Sequence, residues 1–170
     1  MASPRVALER WMASCYHRVP LLDPGLRGIA AGAAGGIAVV DCASFVEPVG
    51  REALIVWPPR DGRDVPRRFW PELPNPVPGA DLARLGYPIS VQWYGRPQEI
   101  SLRLWRGRVG KGAPVAGHFS SPKAPLNVEL VPANACFLVP AEPLAAATLY
   151  AVEAERADGT RFDWSFTTQR

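Results

Sequence analysis

Two histidines, three cysteines and six tryptophans are the side chains of this 170-residue sequence best suited to hold or transform a ligand. His17 follows an apolar-periodic stretch, with Asp23 and Asp41 not far along the chain. Zinc catalysis needs several such groups to converge, and a histidine at a helix end also serves as a charge facing the helix dipole. His118 lies in Gly117-His118-Phe119-Ser120-Ser121-Pro122, a loop composition whose default is a solvated imidazole. Cys15, Cys42 and Cys136 form no CxxC pair, which excludes zinc-ribbon and thioredoxin-type motifs. Cys15 and Cys42 suit a disulfide in an oxidising compartment, and all three equally suit small buried apolar positions.

Trp11, Trp93 and Trp164 fall at core positions by periodicity, whereas Trp57, Trp70 and Trp105 do not. These last three are the candidate ligand-binding residues, because exposed flat rings can stack on sugars. The alternative for them is packing over a sheet edge. Asp61 and Asp64 sit in turn chemistry rather than across a cleft. The sequence holds no Gly-x-Ser-x-Gly elbow, phosphate loop or His-Glu-x-x-His helix. Gly32-Ala33-Ala34-Gly35-Gly36 leads into a strand instead of opening a helix, so it is no dinucleotide fingerprint. No catalytic residue and no cofactor is assigned.

The elements that must position these residues are short. Nineteen Pro and 15 Gly punctuate the backbone and exclude long helices. Ser3-Pro4 predicts a helix start, and Leu8, Trp11, Met12 and Cys15 follow at i, i+3, i+4, i+7, with an end expected before Pro20. A loop and the Gly28–Gly36 run lead to a strand at Ile37–Cys42. From about Glu47 the period changes to two. Strands are expected at Ala53–Trp57, near Val65–Phe69, at Ile89–Tyr94, Ile100–Trp105, Val128–Val131 and Cys136–Val139, and finally at Leu149–Arg156 and Arg161–Thr167. Asp158-Gly159 joins the last two as a hairpin, with Tyr150, Val152 and Ala154 facing Phe162, Trp164 and Phe166 on the buried side. This spacing predicts a β-sandwich.

Charge excludes further classes. The net charge is +3, and 17 of the 19 basic residues are Arg, dispersed apart from Arg67-Arg68, so no nucleic-acid partner is expected. No run of eighteen apolar residues exists, which argues against a transmembrane helix. No signal peptide is visible.

Two segments resemble known families. Trp11-x-x-Ser14-x-x-His17-Arg18-x-x-Leu21-Leu22-x-Pro24, followed by Gly28 and the Ala/Gly run, resembles the late part of bacterial CAP-superfamily (SCP-like) domains, the cysteine-rich secretory, antigen-five and pathogenesis-related family. That resemblance covers about residues 4–44 and implies the last third of an α-β-α domain. Within it His17 corresponds to a cleft histidine and is the candidate metal ligand; the family's His-Asn and Gly-Glu-Asn stretches are absent. Residues 53–168 resemble the bacterial Ig-like module that follows such a domain. The pieces are Trp57 to Pro66, Glu72 to Pro78, Gly86-Tyr87-Pro88-Ile89, and a closing hairpin whose Tyr150 stands where a tyrosine corner would be.

The expected fold is mainly β: a partial CAP domain at 1–46, a helix-plus-strand remnant, before an Ig-like or fibronectin-like β-sandwich at 50–170. The expected role is a non-enzymatic accessory or interaction module of a bacterial secreted or surface CAP-domain protein, located outside the cell or at its surface. The partner would be a cell-wall glycan or another protein domain. The alternatives are polysaccharide binding through Trp57, Trp70 and Trp105, and a metal-dependent or hydrolytic CAP activity through His17 that needs the missing upstream half.

Overall fold

The computed structural model describes residues 3–49, 52–130 and 132–170. The expected domain edges at residues 1 and 50, and the Val131 end of one expected strand, lie outside the described residues.

Helix α1 spans Pro4–Met12, with Ser3 Oγ accepting from the Val6 amide at 3.3 Å and proline in its first turn. It ends earlier than the apolar spacing predicts. The Ser14 hydroxyl donates back to the Trp11 carbonyl at 2.8 Å and helps close the turn. A one-turn helix α2, Arg18–Leu21, follows and holds Pro20. Proline is tolerated there because a first-turn amide has no intrahelical acceptor.

β1, Ala30–Ala34, and β2, Ile37–Asp41, form a two-stranded antiparallel ribbon. Gly35 and Gly36 make its turn at φ of 56° and 81°, both in the left-handed region that suits a tight hairpin. The Gly/Ala run, read from sequence as a connector, is therefore a strand. Among the described residues β2 pairs with β1 alone.

The remaining strands are β3 Ala53–Trp57, β4 Gly62–Val65, β5 Ile89–Tyr94, β6 Ile100–Arg106, β7 Ala113–Pro114, β8 Gly117–Ser120, β9 Ala135–Pro140, β10 Leu149–Arg156 and β11 Arg161–Thr168. Among the described residues they form a five-stranded sheet, β4-β11-β10-β6-β7, and a four-stranded sheet, β3-β5-β9-β8. The β4–β11 pairing is parallel and the others antiparallel. The chain is thus mainly β, as its period-two pattern predicts. The closing hairpin has the expected register, Tyr150 opposite Phe166, Val152 opposite Trp164 and Ala154 opposite Phe162. Three elements differ. The short strand near residue 65 precedes Val65 rather than following it. Residues 113–120 supply two edge strands, which moves His118 from a loop to β8. Val128 is 80% exposed in a turn, not in a strand.

The two sheets share one core. Ile89, Val91 and Trp93 of β5 and Cys136 and Leu138 of β9 meet Leu102 and Leu104 of β6, Tyr150 and Val152 of β10, and Trp164 and Phe166 of β11. Tyr150 also accepts from the Ala145 amide at 2.9 Å, five residues upstream.

The four-stranded sheet is covered on its other face too. Ala135, Phe137 and Val139, the alternate residues of β9, pack with Cys15, Phe69, Val77 and Leu85, and Tyr16 meets Phe137 edge-on. The segment around α2 and the Pro-rich stretch 66–85 therefore form a second layer over the sandwich. This is why β5 and β9 are buried along nearly their whole length instead of alternating. No helix among the described residues is long and apolar enough to cross a membrane.

Candidate functional site

The layer is held by buried polar groups. Glu72, whose side chain is almost fully buried, accepts from the backbone amides of Cys15, Tyr16 and His17. His17 Nδ1 lies 2.6 Å from the same carboxylate. That contact fixes which ring nitrogen faces the carboxylate. The His17 ring stacks on Trp11, with centroids 6.2 Å apart.

Arg18 is fully buried. Its guanidinium donates to the Pro88 carbonyl at 2.8 Å and to the Met12 carbonyl, and lies over the Tyr87 ring at 5.1 Å. Burial lowers its pKa, opposed by the nearby Tyr87, Cys15 and Glu72. An arginine stays charged under that pressure, and here it is met by backbone carbonyls and the Tyr87 ring. The Tyr87 hydroxyl donates to the Met12 carbonyl at 2.9 Å and accepts from Trp57 Nε1 at 2.8 Å. Gln92 Nε2 donates to the Val19 carbonyl at 2.9 Å. These groups dock residues 12–19 on the outer face of the four-stranded sheet. Their work is positional, although Arg18 Nε is buried without a hydrogen-bond partner.

Docking leaves a groove. The Trp70 amide donates to the Ala13 carbonyl at 2.8 Å, which lays residues 66–71 beside α1. Between them lies an open cavity of about 680 Å³. Val6, Ala13, Pro66, Phe69 and Pro71 make its apolar walls, and Arg10, Arg67, Arg68 and Glu9 its charged rim. The Arg10 guanidinium sits 4.1 Å above the Trp70 ring, which is 41% exposed. Arg67 Nε is anchored on the Leu144 carbonyl at 2.8 Å, whereas Arg68 is exposed.

The residues singled out in the sequence are dispersed. Trp70 lines the groove. Trp57 is half-buried on the core and bonded to Tyr87. Trp105 lies half-buried on the five-stranded sheet beside Pro114, with Nε1 unpartnered. His17 lines a small cavity of about 190 Å³ with Trp11, Leu21, Val40 and Cys42. Among the described residues no group of three His, Cys, Asp or Glu side chains is placed to hold a metal ion. All three thiols are free, so the Cys15–Cys42 disulfide is not formed. Sequence reasoning missed Glu72, Arg18 and Arg10. An acidic residue among prolines was the one available sign of Glu72.

No protein-family model matches the chain, and no curated protein does. Solved structures do. PcoC, a copper resistance protein from Escherichia coli, is 17% identical, covering 67% of this chain and 95% of its own, with a TM-score of 0.40. CopC from Methylosinus trichosporium OB3b is 15% identical, covering 70% of this chain and 94% of its own, also at 0.40. Likeness at that level carries no ligand across. Neither structure is a CAP domain, and the CAP resemblance is corrected on that finding. The structure supplies the reason: residues 4–45 make a helix, a single turn and a ribbon around the sandwich, with no α-β-α layering. The SCP-like accessory role and the hydrolytic reading fall with it. So does polysaccharide binding through tryptophan, because the three rings share no surface and Arg10 already covers the face of Trp70.

Proposed function

We propose that this chain is a non-covalent binding module whose groove between α1 and residues 66–71 takes an extended acidic peptide segment. The observation that carries this reading is the Arg10 guanidinium over Trp70 at the open face of the groove. Three arginines against one glutamate leave the rim cationic, and proline and aromatic walls suit apolar side chains of a bound strand. The cavity is open rather than enclosed, which fits a chain segment better than a small molecule. The scaffold is read as an Ig-like or fibronectin-like sandwich, supported by the Tyr150–Ala145 bond.

The test is selection from a displayed random peptide library, followed by titration of the recovered peptides by tryptophan fluorescence. Recovered sequences should place Asp or Glu beside apolar residues. The Arg10→Ala/Arg68→Ala double variant should bind them at least about tenfold more weakly, and added salt should weaken the native affinity. A basic or neutral consensus, preference for single-stranded nucleic acid, or unchanged affinity in the double variant would overturn the proposal.

A further inference from the structure

Helix α1 is one wall of the groove, and no residue in it is buried. A helix of nine residues is marginal by itself, so its place depends on what it is fastened to. Among the described residues its hydrogen-bonded anchors to the rest of the fold all lie at its C-terminal end. The Met12 carbonyl accepts from the Arg18 guanidinium and from the Tyr87 hydroxyl. The next carbonyl, of Ala13, accepts from the Trp70 amide at 2.8 Å. These are the carbonyls that a helix end leaves without an intrahelical donor. Ala13 and Cys15 are buried, whereas Val6, Glu9 and Arg10 along the groove are not.

The second wall is fastened to the same place. Trp70 and Pro71 line the groove, and Glu72 follows them directly. Its buried carboxylate accepts from the amides of Cys15, Tyr16 and His17. Both walls therefore meet at one knot, residues 13–17 against 70–72. Cys15 stands two residues beyond Ala13, and a chain spans at most about 3.5 Å per residue. Withdrawing residues 15–17 from Glu72 thus pulls Ala13 off Trp70. The walls then part, and Arg10 leaves the indole face it covers at 4.1 Å. Several hydrogen bonds on one carboxylate are lost together, which makes the release cooperative. The strands beneath keep their own ladders, since β5 pairs with β3 and β9 without help from the knot.

We infer that residues 4–17 and 70–72 open as one unit short of global unfolding, that the groove exists only while the unit is closed, and that an occupant holds it shut. Coupling to an occupant rests on the groove reading; the opening does not. Amide exchange of the full 170-residue chain, read by NMR, tests both. In the native chain the Cys15, Tyr16 and Trp70 amides should share one opening constant, at least about tenfold larger than that of the β10 amides, which are paired on both sides. Glu72→Gln should raise opening at Tyr16 and Trp70 by one common factor, about tenfold or more, although the Trp70 amide is bonded to Ala13. An acidic peptide recovered by the library selection, at about 100 times its Kd, should slow both amides about a hundredfold. Unlike opening constants at Tyr16 and Trp70, opening no larger than in β10, or native exchange at Trp70 in the Glu72→Gln variant would overturn the opening. A bound peptide that leaves both amides unchanged would overturn the coupling alone. A selection that returns no acidic peptide removes the groove reading and the coupling with it, while exchange in the free chain still decides the opening.

Discussion

Glu72→Ala removes the acceptor on which the second layer hangs. Four N–H groups face that carboxylate: the amides of Cys15, Tyr16 and His17, and His17 Nδ1. The Cys15 amide is buried and loses its partner outright, a cost of about 2 kcal/mol. The other three are part-buried and regain water, at roughly 0.5–1 kcal/mol each. A total of about 4 kcal/mol is expected from these four groups, a large share of a typical domain's stability. Glu72→Gln keeps one oxygen and should cost about half as much. Urea denaturation followed by tryptophan fluorescence measures both. Amide exchange at residues 15–17 distinguishes local undocking from global loss. A loss under about 1 kcal/mol for Ala, or equal losses for Ala and Gln, would refute the account.

Other consequences are simpler to check. Cys42 should react with a thiol reagent near pH 8 in the native chain, while Cys15 and Cys136 react after unfolding, since both are buried. Burial pushes the Cys136 thiol up to about 12 and raises that of Cys15 as well. Rapid native labelling of all three would count against the second layer. Burial also lifts the phenols of Tyr16 and Tyr94 from 10 to about 12. The unfolded chain then ionises first, so stability present below pH 10 is lost as pH rises from 10 to about 12. Absorbance titration should show Tyr16 and Tyr94 ionising late, and a single common step near 10 would contradict this. Tyr150→Phe strands the Ala145 amide and should lower stability by about 1 kcal/mol in thermal denaturation. No loss would show that water replaces the hydroxyl.

The sandwich was legible because its strands obey local rules. Alternation in β6, β10 and β11, and an Asp-Gly turn, encode buried and solvated sides without reference to the rest of the chain. β7 and β8 were not legible, since they are short edge strands whose Gly, Ala and Pro residues show no period. The continuous apolar run of β9 carried a signal of two-sided burial, and without a known second layer it read as one more sandwich strand. The motif around His17 was real as local structure, a helix end and a turn, but the same local pattern serves more than one tertiary setting. Trp70 was picked out as poorly placed for a core, and the structure puts it in the groove.

Chemistry-bearing residues, strand positions and the closing hairpin follow from sequence alone, because each depends on neighbours a few residues away. The partnerships of Glu72 with residues 15–17, of Arg18 with Pro88 and of Arg10 with Trp70 span about sixty residues or more. No local period encodes them. They exist because a sheet with two apolar faces must be covered twice, and the segment around α2 with the stretch 66–85 supplies the second cover.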